Sequence, residues 1–196
     1  LGSENGIIFQ LMDNDNPGRV NVEGKPWSSE TKGVYTEPTG VPERSSFDVA
    51  TTHSTDATAS FTDISVRGNF YNSIRGGTAT LAGMNLVLSF TDSRVEGVIS
   101  ATKARHRVGT ITSAEYRELG TVTNTVQEVV NNGVIVDLAG RSTWTVAGTS
   151  YLSKLILGPA AEVTAEPGRR VSMTVDGTPT TITPGASYTG SILLSV

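Results

Sequence analysis

The sequence predicts an all-β chain built as a β-solenoid, a stack of roughly six coils preceded by an irregular N-terminal region. Three observations predict it. The segment Ser60-Phe61-Thr62-Asp63-Ile64-Ser65-Val66-Arg67-Gly68 returns 29 residues later as Ser89-Phe90-Thr91-Asp92-Ser93-Arg94-Val95-Glu96-Gly97, identical at six of nine positions. A weaker form of its end, Val-x-Gly, stands at Val146-Ala147-Gly148 and again 29 residues on at Val175-Asp176-Gly177. Between the turns, apolar and polar residues alternate with period two and no helical period appears, which is the pattern of strands with one face inward. Stacking is the economical use of such a unit. Coils about 4.8 Å apart satisfy each other's backbone groups, while inward Val, Ile, Leu and Phe form one continuous core.

The elements follow in order. Ile7 to Met12 is an apolar run of strand length, bounded by Asn5-Gly6 and by the turn-rich Asp13-Asn14-Asp15-Asn16-Pro17-Gly18. From Lys25 to Arg44, Pro26, Pro38 and Pro42 with Gly33 and Gly40 break any strand pattern, so residues 1–45 are expected to be an irregular strand and loop or capping region. Residues 46–196 are expected to hold the coils. Each copy of the repeat has two strands meeting at a Thr-Asp corner, where the Asp side chain can cap backbone N–H groups. Residues 101–132 interrupt the register as an insertion or an extra partial coil. The register returns at Asn132-Gly133, runs through Val134 to Leu138, Thr143 to Val146 and Leu152 to Leu157, and ends in Ile192-Leu193-Leu194, an apolar tail expected to close the stack.

Composition narrows the function. Of 196 residues, 17% are charged, the net charge is −4 and the few basic residues are scattered, which argues against a nucleic-acid partner. There is no cysteine, which excludes disulfides and thiolate metal sites. No apolar run approaches the roughly 20 residues of a membrane-spanning helix, and no leader pattern opens the chain, so membrane insertion of this segment is not expected. Leu1-Gly2-Ser3 reads as a junction, as if the chain were a piece of something longer.

The stretch from Asn132 to Leu152, Asn-Gly-Val-Ile-Val-Asp-Leu-Ala-Gly-Arg-Ser-Thr-Trp-Thr-Val-Ala-Gly-Thr-Ser-Tyr-Leu, resembles the coils of right-handed parallel β-helix surface proteins such as autotransporter passengers and adhesin-like bacterial repeats. The likeness covers Ser46 to Val196. It implies a right-handed parallel β-helix in a bacterial extracellular or cell-surface setting. That architecture hosts adhesins, polysaccharide lyases and structural stalks alike, so it does not decide among them.

The residues point to a non-catalytic role. The paired carboxylates and the His and Arg/Lys partners of β-helix polysaccharide enzymes form no recognisable motif here, which leaves a lyase or hydrolase of the pectate-lyase-like class as an alternative without assigned catalytic residues. Lys103, Arg105 and His106 form a basic cluster suited to acidic glycans, and Trp144 offers either a sugar-stacking ring or a core residue. Possible partners are host or bacterial glycans or surface proteins. Asp63 and Asp92, one above the other in adjacent copies, read as repeated corner caps with a weaker reading as cation ligands. Asp13 and Asp15 begin like a calcium loop but lack the acid at its twelfth position, which is Gly24. No metal or other cofactor is expected. The Thr pairs Thr78/Thr80, Thr121/Thr123/Thr125 and Thr143/Thr145 suggest an ice-binding solenoid only if they form one regular face.

Overall fold

The computed structural model describes residues 1–12, 34–36, 47–74, 83–112, 115, 117–118 and 121–196. Its strands are β1 (Gly2–Leu11), β2 (Val34–Thr36), β3 (Ala57–Thr62), β4 (Ser65–Asn72), β5 (Leu86–Thr91), β6 (Arg94–Gly97), β7 (Ile99–His106), β8 (Thr110–Thr112), β9 (Val122–Val126), β10 (Val134–Ala139), β11 (Thr143–Val146), β12 (Ser150–Leu157), β13 (Glu162–Ala165), β14 (Ser172–Val175), β15 (Thr178–Pro179) and β16 (Ser187–Ser195). The chain is all-β with curled sheets, as the alternation requires.

Two long parallel ladders organise it. In the first, β3, β5, β10 and β12 lie side by side, and in the second, β4, β6, β11 and β13 do so. The two copies of the repeat fall in register: Ser60 pairs with Ser89, Phe61 with Phe90, Val66 with Val95, and Phe70 with Ile99. Past its bend at Gly68, β4 pairs with β7 on one side and β1 on the other.

The register explains the core. Ala59, Leu88, Val136 and Leu155 form one inward row, and Phe61, Phe90, Leu138 and Leu157 the next. Phe61 and Phe90 stack with centroids 5.1 Å apart, and Phe70 meets both edge-on at 5.7 Å. Small hydroxyl residues line the inside of one corner. The Ser93 and Ser142 side chains are buried, the Ser142 hydroxyl donating to the Phe90 carbonyl and the Ser93 hydroxyl to the Thr91 carbonyl.

Corners explain the punctuation. Asp63 and Asp92 adopt φ of 53° and 47°, and Gly140 continues that left-handed row at 60°. Aspartate and glycine are residues that tolerate this conformation.

Two expectations need correction. The Val146 and Val175 copies, though 29 residues apart, are not stacked: Val146 pairs with Ala165 in β13, and Val175 pairs with Ile192 and Thr178. The turn after β11 is shorter than in the repeat, and the chain then reverses. Nor is the pairing uniformly parallel, since β7–β9, β12–β16, β14–β16, β14–β15 and β2–β8 are antiparallel. A parallel stack must end somewhere, and β16 covers the open edge of β12 with Ile192 and Leu194 fully buried. Between residues 101 and 132, β7 and β9 form an antiparallel pair, Lys103 opposite Thr125 and Arg105 opposite Thr123.

Candidate functional site

The basic cluster lies on β7 where that strand leaves the stack. Alternation along a strand puts Lys103 and Arg105 on one side and His106 on the other. Arg105 is exposed and Lys103 half-buried. Facing them across the pair are Thr125 and Thr123. His106 places Nδ1 3.0 Å from the Glu118 carbonyl oxygen. Next along the chain, Arg107 donates from Nε to Glu118 Oε2 at 3.1 Å and from its second nitrogen to Oε1. This pair withdraws Arg107 from the basic face. The surface left for an anion is Lys103 and Arg105 with two threonine hydroxyls, smaller than the sequence cluster implied.

Trp144 leaves the set of binding residues. Its exposure is 0%, it aligns with Val95 and Val163, and its indole Nε1 donates to the Gly97 carbonyl at 3.0 Å. An inward position in β11 is dictated by the same alternation that turns Thr143 and Thr145 outward. It is a core residue.

Asp63 and Asp92 do stand in adjacent rungs, since Thr62 pairs with Thr91 and the Asp63 N–H donates to the Thr91 carbonyl at 3.0 Å. The Asp92 carboxylate accepts the Arg141 N–H at 3.0 Å and packs over Gly140, whose missing side chain makes room for it. That is the capping arrangement. No group of three or more His, Asp or Glu side chains suited to a metal exists among the described residues. Asp13 and Asp15 lie outside the described residues.

The outward row of the second ladder reads Arg67, Glu96, Thr145, Thr164. Arg67 pairs with Glu96 at 3.0 Å, and the Thr145 and Thr164 hydroxyls lie 3.4 Å apart. Charges thus replace threonine in half of this row, so it is not a regular threonine face.

A second surface was missed in the sequence. At the end of the stack an open cleft of about 740 Å³ lies between β13 and the returning chain, with Val163, Ala165, Val171, Met173 and Ile182 supplying its apolar lining and Arg169 and Arg170 its charge. The signal was present as two consecutive arginines after the turn Pro167-Gly168. It was unremarkable because their neighbours in space, β13 and residues 179–182, are distant along the chain.

Two carboxylates outside these surfaces are tuned by their partners. Asp48 is held below the ordinary carboxylate range by hydrogen bonds, first from the Thr51 side chain and then from the Ala50 N–H at 2.9 Å. Glu118 is held low chiefly by its hydrogen bond with Arg107, whose guanidinium is correspondingly pushed up. A depressed folded pKa stabilises above the unfolded value and ceases to do so as pH falls through the folded one. Acidification below the ordinary values of 3.8 and 4.5 is therefore expected to loosen the Asp48 turn and the Arg107 pair. Amide exchange at Ala50 and Glu118 should accelerate while that at Trp144 holds; parallel acceleration at Trp144 would show global unfolding instead.

Comparison of the chain with protein-family models, curated proteins and solved structures returns no match.

Proposed function

We propose that this chain is a non-catalytic segment of right-handed parallel β-helix from a bacterial secreted or cell-surface protein, serving as an adhesive or structural stalk that contacts acidic glycans. The observation that carries this reading is the registered pairing of the 29-residue copies across both ladders, which makes a stiff body with a closed apolar interior and polar outward rows. A body of that kind presents surface along its length instead of enclosing a reaction. Lys103 and Arg105 are its cationic contact on β7, with Thr123 and Thr125 as hydrogen-bonding neighbours.

The test is a glycan and polysaccharide array with the purified chain, with and without calcium, and with product detection on each positive. Binding without product is expected, favouring acidic glycans and weakening with salt. Replacing both Lys103 and Arg105 by serine should weaken it about tenfold while leaving the melting temperature unchanged. Release of cleaved product would overturn the non-catalytic reading, and binding indifferent to the double replacement would overturn the assigned surface.

A further inference from the structure

The geometry points to the outer edge of β13 as a docking strand for an extended polypeptide segment in which apolar and acidic residues alternate. In the last rung the two ladders end differently. The edge of β12 is covered by β16, whereas β13 is the terminal strand of its sheet. The Glu162 N–H donates to the Ser142 carbonyl at 2.9 Å. In a parallel pair alternate residues face the partner strand, so Glu162 and Thr164 bond to β11 while Val163 and Ala165 turn their N–H and C=O groups away. Among the described residues no hydrogen bond reaches these outward groups.

An unpaired edge of this kind is a template for one more strand. The cleft beside it says which strand. Outward backbone groups recur every second residue, about 6.6 Å apart, a spacing that another polypeptide matches directly. The lining is aliphatic and contains no aromatic ring on which a sugar would stack. Arg169 and Arg170 are both exposed there, and no carboxylate lines the cleft. A docked strand would turn one set of side chains onto Val163, Ala165 and Met173 and present the other to the arginines. Alternating apolar and acidic residues satisfy both.

The probes are a labelled, end-capped peptide of about eight residues alternating valine and glutamate, and its valine–lysine counterpart, titrated against the whole chain by fluorescence anisotropy. The glutamate peptide should bind at least about tenfold more tightly. Hydrogen exchange at Val163 and Ala165 should slow in its presence. Ala165→Pro removes an outward donor without touching the β11 ladder and should abolish binding. The double replacement Arg169→Glu with Arg170→Glu, at exposed positions, should reverse the preference toward the lysine peptide and serves if the proline variant fails to fold.

Absence of binding by either peptide, or equal binding of both, would overturn the proposal. So would an acidic oligosaccharide that binds the cleft and is unaffected by Ala165→Pro. Concentration-dependent dimerisation lost in Ala165→Pro would make a second copy the occupant and would likewise overturn it.

Discussion

Replacing Gly97 by alanine is expected to unfold the stack or to lower its stability by about 3 kcal/mol or more. Gly97 sits at the corner between β6 and β7 with φ of 155°, directly against the equivalent corner one rung away. A Cβ there would overlap the Gly68 carbonyl oxygen and lie 2.7 Å from its carbon. Gly68 cannot retreat easily, because the space beside it is filled by Ile8 and by the Gly6 carbonyl. The Gly97 carbonyl is also fixed, accepting from the Trp144 indole and from the Ala147 N–H. The clash therefore strains three rungs at once. Gly109 supplies the control: nothing lies within 4 Å of its position and it has no positive φ, so Gly109→Ala should change stability by no more than about 0.5 kcal/mol. Urea unfolding followed by circular dichroism compares the two. Equal midpoints would show that the corners do not approach as closely as described.

Much of the fold was legible because the rungs reuse one interval. The repeat placed Phe61 on Phe90 and Val66 on Val95, and period-two alternation then assigned every inward residue of β5, β6, β10 and β11. The reading failed where that interval was carried too far. Val146 and Val175 share the spacing but not a ladder, since the rung after β11 closes at Ala165. Sequence spacing cannot reveal that β14 and β16 reverse direction, because antiparallel and parallel strands share the same alternation.

The candidate site was less legible. Lys103 and Arg105 were found from composition, but the pairing of Arg107 with Glu118 links segments on opposite sides of an excursion. Trp144 was ambiguous until its parity with Val95 was fixed by register. The cleft was hidden because an unpaired strand edge is a property of the sheet, and no residue type announces it. The 29-residue period held more than was taken from it. Asp56 and Asn85 are also 29 apart, as are Asn69 and Val98, and both pairs are hydrogen-bonded between rungs.

The Asn85 side chain is expected to matter nearly as much as the Gly97 corner: Asn85→Ala should cost about 3–5 kcal/mol. Asp56, Asn85 and Gly133 each precede a strand of the first ladder, and fully buried Asn85 ties them together. Its Oδ1 accepts the Gly133 N–H at 2.6 Å, while Nδ2 donates to the Thr51 carbonyl at 3.0 Å and the Asp48 carbonyl at 3.3 Å. Its own N–H donates to Asp56 Oδ1 at 2.9 Å. Alanine would keep only this last bond, leaving a buried donor and two carbonyls without partners. Gly133 cannot shift to compensate, because Val49, Ser153 and Asn85 fill the space around its α-carbon. Asn85→Asp separates geometry from chemistry: it preserves the acceptor for Gly133 but loses both donors and sets a second carboxylate beside Asp56. That like charge raises the new group's pKa, so the variant should be weakest at neutral pH and recover as pH falls through the raised value. Thermal unfolding across pH reads both variants. If alanine instead costs less than about 1 kcal/mol, solvent must reach the three groups, and the 47–56 turn would be an appendage of the stack instead of part of it.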